Sequence, residues 1–248
     1  MEITSVNNEL VKTSAKLLQK KYRTESGKFL LEGYKAIKEA FDYGLEIETV
    51  FVEHSQMKDY SFLKDNIILT NSVVLKKLSS TESAPPAVAI AKQKIYNIQQ
   101  FKSFNKVILL EGIKDAGNLG TIIRSAVAFG CEGIVLYGDC VDLYNPKCVR
   151  SSVGNLWKIP IVNSESVGSI SNIFKGFVKI ATLPKSNNLL KTFKPNMPLL
   201  LMFGSEAEGL SGELINYSTE SVKIEMKDNV ESLNLASSVS VIMYKLFV

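Results

Sequence analysis

Three polar stretches in the second half of the 248-residue chain carry the side chains that could do chemistry. The first, Glu111–Arg124, is glycine-rich and holds Asn118 and Arg124. The second, Gly204–Ser211, sets Glu206 between Gly204 and Gly209. The third, Ser232-Leu233-Asn234, separates the strand-like run Ser221–Met226 from an apolar-periodic helix. A carboxylate, two carboxamides, a hydroxyl and a guanidinium can grip a polar substrate and orient a reacting group, and glycines let backbone approach a ligand closely. Each stretch also has a plainer reading. Asn118, Ser232 and Asn234 are ordinary helix N-cap types, acids near a helix start suit the helix dipole, and Arg124 fits a solvated helix face.

Each stretch falls where a strand end meets a helix start. Val107–Glu111, Gly133–Tyr137, Phe177–Thr182, Leu199–Phe203 and Ser221–Met226 read as strands. Leu119–Phe129, Lys147–Val153, Gly168–Phe174, Gly212–Asn216 and Asn234–Phe247 read as helices, the last with Leu235, Val239, Ile242 and Leu246 on one stripe. This alternation predicts a parallel sheet covered by helices on both faces, with ligands at the carboxyl ends of its strands. The glycines exclude two nucleotide loops. Gly112, Gly117 and Gly120 do not make G-x-G-x-x-G, although Asp139 lies further on, and no G-K-[ST] follows.

Residues 1–93 read as a small α/β unit. Helix Glu9–Tyr22, strand Lys28–Glu32 and helix Gly33–Tyr43 come first, the last stopped by Gly44. Strands Ile47–Val52 and Asn66–Thr70, helix Ser72–Leu78, a turn cluster at Ser79–Pro86 and strand Ala87–Ala91 complete it. Residues 94–104 are polar and fit a linker, and 105–248 form the second domain. The net charge is only +4, but Lys12, Lys16, Lys20, Lys21 and Arg23 stand between Glu9 and Glu25 with no acid among them. Lys12, Lys16 and Lys20 repeat at i+4, which fits either a solvated helix face or a stripe that tracks phosphates.

Cys131, Cys140 and Cys148 form no Cys-x-x-Cys pair, and His54 is the only histidine, so a zinc site has too few ligands and no Ser-His-Asp machinery is apparent. The cysteines read as reduced core or near-surface thiols, and His54 as a surface residue at a strand end. No basic-then-apolar leader opens the chain and no apolar run is long enough to span a bilayer. The expectation is a soluble, cytoplasmic protein without a metal.

Taken together and in order, the motifs resemble those of the SpoU/TrmH family of RNA ribose 2′-O-methyltransferases. The resemblance lies in Asn-x-Gly-x-x-x-Arg (Asn118, Gly120, Arg124), Gly-x-Glu-x-x-Gly-Leu-Ser (Gly204, Glu206, Gly209) and Ile-x-Met followed by Ser-Leu-Asn (Ile224, Met226, Ser232, Leu233, Asn234). Asp142–Gly154 looks like the family's stretch after the second strand, and Lys28–Gly33 resembles its small ribosomal-protein-like substrate-binding domain. What the resemblance implies is a SPOUT fold, an α/β domain tied in a deep trefoil knot, where periodicity alone predicts an open doubly wound sheet. It also implies S-adenosylmethionine as cofactor, held by Gly204, Ile224, Met226 and Leu233. Asn118, Arg124, Glu206, Ser232 and Asn234 become the catalytic cluster, and the knot domain pairs into a homodimer.

RNA would be the substrate, ribosomal RNA of the 23S type before transfer RNA, with Lys12, Lys16, Lys20, Lys21 and Arg23 as its contacts. Two departures stand out: Ile224-Glu225-Met226 where the family usually has Ile-Pro-Met, and Asn155 where a small residue follows the glycine of Ser-x-Gly. The competing reading is a catalytically silent RNA-binding protein of the same fold. A nucleotide-dependent oxidoreductase fails on the glycine spacing.

Overall fold

The computed structural model describes residues 1–63, 66–227, 229–230 and 232–248. It divides into two compact units, Met1–Lys94 with Asp142–Trp157, and Ile95–Val141 with Lys158–Val248.

The first unit runs α1 (Glu9–Lys16), α2 (Lys20–Ser26), β1 (Lys28–Glu32), α3 (Tyr34–Asp42), β2 (Ile47–Glu53), a 3-10 helix (His54–Leu63), β3 (Ile67–Thr70), α4 (Ser72–Leu78) and β4 (Ala87–Lys92). Its sheet has the order β1-β4-β2-β3; β4 is antiparallel to both β1 and β2, and β2 is parallel to β3. Alternation along the strands turns Leu30, Phe51, Val88 and Ile90 to one face, where Val11, Leu17, Val74, Leu75 and Leu78 of the α1 and α4 segments cover them. The intervening Phe29, Leu31, Val50 and Val52 are buried on the other side, and α3 packs on β1 and β4. Tyr144, from the segment 142–157, meets the Phe29 ring at 4.6 Å.

The helix expected over Glu9–Tyr22 is two helices. α1 ends at Lys16, turns through 17–19, and α2 restarts at Lys20, because Leu17 has to enter the core. Lys20 therefore does not continue the face that carries Lys12 and Lys16.

The second unit adds a 3-10 helix (Ile98–Ser103), β5 (Lys106–Glu111), α5 (Ala116–Ala128), β6 (Gly133–Tyr137), β7 (Ile161–Ser164), α7 (Val167–Ile170), β8 (Val178–Thr182), β9 (Leu199–Phe203), α8 (Gly212–Tyr217), β10 (Glu220–Val222) and α9 (Leu235–Phe247); α6 (Pro146–Ser151) belongs to the first unit. Every pairing in its sheet is parallel, in the order β10-β8-β9-β5-β6-β7. Leu109, Val135, Leu200 and Met202 face Phe174 and Leu214 on one side, and α5 packs with α9. Phe101, within the stretch expected as linker, is fully buried in this core; a Cβ on Gly133 would come within 2.5 Å of its ring.

Three details differ from the sequence expectation. β7 was not legible as a strand. Of the run Ser221–Met226 only Ser221 and Val222 lie in the sheet strand, Lys223 makes an isolated bridge to Leu189, and 224–227 has no regular structure. On α9 the buried stripe is Ala236, Val239, Ile242, Met243 and Phe247, one position round from the Leu235–Leu246 line, since α9 packs mainly on another helix and not flat on the sheet.

Candidate active site

β5 and β9 are neighbours with Leu110 opposite Phe203, so the loops leaving their carboxyl ends start side by side. After β5 the chain enters α5 through Asp115, whose carboxylate accepts the Asn118 amide N–H at 2.8 Å. Asp115 is thus the N-cap, and the Asn118 side chain is left for other work. Its Nδ2 donates to Glu206 Oε1 at 2.5 Å, and its Oδ1 accepts from Asn234 Nδ2 at 3.2 Å. Asn234 does two jobs, since its Oδ1 also caps α9 by accepting from Ala236 N at 2.9 Å. The plain capping reading of Asn234 and the site reading both hold. A carboxylate, a carboxamide and a second carboxamide are so joined in one polar chain, which fixes the direction of each amide.

The Glu206 loop is tightly folded. A Cβ on Gly204 would lie 1.9 Å from the carbonyl carbon of Gly209, so only glycine permits this approach, and Gly209 itself has φ +70°. Gly209 N donates to Ser205 O at 3.0 Å, and Ser211 N donates to Glu111 Oε2 at 2.7 Å. At the end of β6, Tyr137 Oη donates to Glu213 Oε2 at 2.7 Å; burial first, then Glu213, push its phenol up to about 12. Glu111, Tyr137 and Glu213 escaped the sequence reading. The signal for Glu111 and Tyr137 was position, as the last residues of parallel strands, and for Glu213 its place in the first turn of the helix after β9. Across α5 and α9, Ser240 Oγ lies 2.8 Å from Ser125 Oγ.

Residues 105–244 match the SpoU rRNA Methylase family, and residues 8–89 match the MRM3-like substrate binding domain. The chain belongs to the SpoU rRNA methylase family. It is 33% identical over 98% of its length, and 92% of the relative's, to an uncharacterized tRNA/rRNA methyltransferase of Synechocystis. It is 27% identical, over 98% of its length and 90% of the relative's, to the 23S rRNA (uridine(2479)-2′-O)-methyltransferase of Streptomyces viridochromogenes. An AdoMet-bound rRNA methyltransferase from Sinorhizobium meliloti superposes with a TM-score of 0.89 at 27% identity, covering 99% of this chain and 96% of that one.

Against the SpoU motifs, the structure brings three of the five expected cluster residues together. Arg124 and Ser232 are exposed, and among the described residues no hydrogen bond or ion pair reaches either side chain. Gly204 is buried beside the cluster loop, Ile224 and Met226 are half-buried in the coil after β10, and Leu233 is exposed before α9. Among the described residues no backbone hydrogen bond engages Ile224, Met226 or Leu233.

In the basic segment, Lys12, Lys16, Lys20 and Lys21 are exposed; Lys12 pairs with Glu9 at 2.9 Å, and the Lys16 and Lys21 ammoniums lie 5.4 and 5.8 Å from the Tyr22 ring centre. Arg23 is a correction to the expected RNA contacts. It is 2% exposed, its guanidinium grips Asp142 through Nε at 2.7 Å and through Nη2, and its Nη1 donates to Leu17 O at 2.8 Å. A buried charge needs such partners, so Arg23 is spent on structure. Among the described residues, no helix is long and apolar enough to cross a membrane, and no group of three His, Cys, Asp or Glu could hold a metal.

Proposed function

We propose that this SpoU-family chain transfers a methyl group from S-adenosylmethionine to a ribose 2′-hydroxyl of ribosomal RNA. The observation that carries the reading is the Glu206–Asn118–Asn234 chain, which joins the three family motifs at the carboxyl ends of adjacent parallel strands. The named activity of the Streptomyces relative and the cofactor bound to the Sinorhizobium protein support it.

The residues present fit the cofactor. The side-chain-free approach at Gly204 and the backbone at Ile224, Met226 and Leu233, which no hydrogen bond among the described residues engages, offer amide and carbonyl groups of the kind that hold an adenine edge and an amino-acid moiety. When bound, the cofactor supplies the methyl as an electrophilic sulfonium. The chain's part is to set the 2′-oxygen in line with it, an effect worth roughly 7–11 kcal/mol when orientation is good. We assign Asn118 and Asn234 to fixing the cluster, Glu206 to orienting Asn118, Ser232 to a ribose contact, and Arg124 to gripping the adjacent phosphate. An arginine side chain has five donors and no acceptor, which suits positioning better than proton removal.

Further parts of the same proposal are a homodimer, the knot and the site of action. α9 exposes Val241, Tyr244 and Val248, with Tyr244 edge-on to Phe129 at 5.6 Å; a second copy packed on this apolar face would bring its own groups near the exposed Arg124. The chain's return from β10 at the sheet edge to α9 against α5 suits a threaded, knotted connection. Lys12, Lys16, Lys20 and Lys21 of the N-terminal unit serve as phosphate contacts, and the protein acts on RNA in the cytoplasm.

The test is transfer of labelled methyl from S-adenosylmethionine to total RNA from a strain lacking this gene, followed by mapping of ribose methylation. Label at one 2′-O position in ribosomal RNA is expected. Label in transfer RNA would redirect the substrate, and cofactor-independent RNA binding without any label would leave the silent RNA-binding reading.

A further inference from the structure

The loop that carries Glu206 is closed on itself. Gly209 N donates to Ser205 O at 3.0 Å, Glu208 N donates to Ser205 Oγ at 3.2 Å, and Gly204 lies against the Gly209 backbone too closely for a Cβ. Such a loop moves as one piece, so the direction of Glu206 depends on what holds the piece from outside. β9 holds its start. Its far end is held at Leu210, which shares a core with Leu214 of α8, and at Ser211, the N-cap of α8. An apolar side chain in a core fixes depth, but its attraction has no direction. Direction comes from hydrogen bonds.

The bond at Ser211 has a distant source. Ser211 Oγ accepts from Leu214 N at 3.4 Å, the first half of a capping box. The second half would be an acceptor on the third helical residue reaching back to the N-cap N–H, but that residue is Leu214 and has none. Glu111, 100 residues earlier, fills the place: its Oε2 accepts Ser211 N–H at 2.7 Å. Glu111 is half-buried at the last position of β5, paired to Tyr137 of β6, and Gly112 N donates to Tyr137 O at 3.0 Å just beyond it. A carboxylate on a rigid strand end that accepts an N–H makes a charge-assisted bond, stronger than a neutral one. The β5 and β9 loops are therefore tied twice, Asn118 to Glu206 and Glu111 to Ser211.

We propose that Glu111 is a positioning residue of the methyl-transfer site: by holding the start of α8 it sets the closed loop at the rotation in which Glu206 receives the Asn118 amide. The proposal rests on the RNA methyltransferase reading and adds the residue that aligns the Glu206 loop. Among the described residues the Glu111 side chain bonds Ser211 and none of Asn118, Glu206 and Asn234, so its effect reaches the cluster through the loop. Without it the loop keeps its internal bonds, but its far end is free to turn about the Leu210 anchor, and Glu206 leaves the line of the Asn118 amide. The neighbouring carboxylates do not share the task. Glu213 is engaged by Tyr137 Oη at 2.7 Å and Val167 N at 3.4 Å, and Glu208 is exposed. A cap that only stabilised α8 would show in folding alone, whereas a positioning residue shows in turnover, and only while Glu206 is present.

The experiment measures single-turnover methyl transfer from saturating S-adenosylmethionine to total RNA of a strain lacking this gene, with melting temperatures alongside. The variants are Glu111→Ala, Glu111→Asp, Glu111→Gln, Glu206→Ala and the double variant Glu111→Ala/Glu206→Ala. Glu111→Ala and Glu111→Asp are each expected to slow transfer roughly 10- to 100-fold, the scale on which misplaced reacting groups lose rate. Aspartate keeps the charge but falls a methylene short of Ser211. Glu111→Gln keeps a carbonyl oxygen at full reach and recovers most of the rate. The RNA concentration for half-maximal rate stays as in the parent. Because Glu111 acts through Glu206, adding Glu111→Ala to Glu206→Ala costs little further rate, the non-additivity of residues that act as a unit. The aspartate and glutamine variants decide the matter even where Glu111→Ala fails to fold. Losses that multiply in the double variant, or full rate in Glu111→Asp with loss in Glu111→Gln, overturn the positioning role. So does a Glu111→Ala chain that melts lower yet transfers methyl at the parental rate. In each of these cases transfer by the parent leaves the methyltransferase reading standing, and a parent chain that methylates no RNA overturns both.

Discussion

Asn118 and Glu206 stand 88 residues apart in sequence and 2.5 Å apart in space. The parallel pairing of β5 with β9 makes this meeting, since both loops leave the same end of the sheet. Asn234 closes the chain from the start of α9. Asn234→Ala removes both its bond to Asn118 and the α9 cap. Turnover is expected to fall on the order of 10²-fold, as misplacement of reacting groups commonly causes, with cofactor affinity nearly unchanged. Single-turnover methylation against calorimetric cofactor binding checks this. Unchanged turnover removes Asn234 from the cluster.

Arg124 is tested by keeping its charge and removing its fork. Arg124→Lys leaves a cation on an exposed turn of α5 but loses planar, two-pronged donation. If positioning of a phosphate and the ribose is its role, turnover drops at least ~10-fold, about 1.4 kcal/mol of transition-state stabilisation. Near-normal turnover in this variant would sink the assignment.

Gly204→Ala probes the cofactor loop. The added methyl would sit 1.9 Å from Gly209 carbonyl carbon and 2.2 Å from Leu210 N, atoms of the backbone that cannot swing aside. Forced repacking of this kind costs about 1–3 kcal/mol. The expected result is a lower melting temperature together with lost cofactor binding. Retention of both would show that the loop has a second, open arrangement.

Much of this was readable in advance, and the failures share a cause. Gly133–Tyr137 and Leu199–Phe203 are apolar throughout and appear as strands with those bounds, because strands buried on both faces leave no polar interruption. Asn118, Glu206 and Asn234 were legible as a set through the family pattern, and their contact follows from sheet order. The break between Lys16 and Lys20 was not. Charges at i+4 suit an unbroken helix, and the demand of Leu17 for the core is tertiary. Arg23 misled for the same reason, since its partner Asp142 lies 119 residues away.

Alkaline pH should weaken the fold through its thiols. Burial pushes Cys131 and Cys148 from 9.0 up to about 12. Both are then neutral when folded but ionise near 9 when unfolded. Their contribution is complete below about 9 and is lost as pH rises toward 12, by on the order of 1 kcal/mol per cysteine at pH 10. Urea midpoints at pH 8 and pH 10 measure it. Cys131→Ala should lower the midpoint at pH 8 yet flatten its fall to pH 10, and an unaltered fall would refute the assignment.

The Arg23–Asp142 pair offers the last test, and it separates structure from RNA contact. Arg23→Met keeps the length of the side chain but strands a carboxylate whose side chain is only 17% exposed. Removing one partner of a buried pair typically costs about 3–5 kcal/mol, and the residual exposure of Asp142 places this case near the low end. Adding Asp142→Leu to Arg23→Met removes the stranded charge and should recover most of the loss in urea denaturation. RNA affinity should stay unchanged in the double variant, because Arg23 reaches no solvent. A loss of RNA binding in a stable double variant would return Arg23 to the RNA contacts.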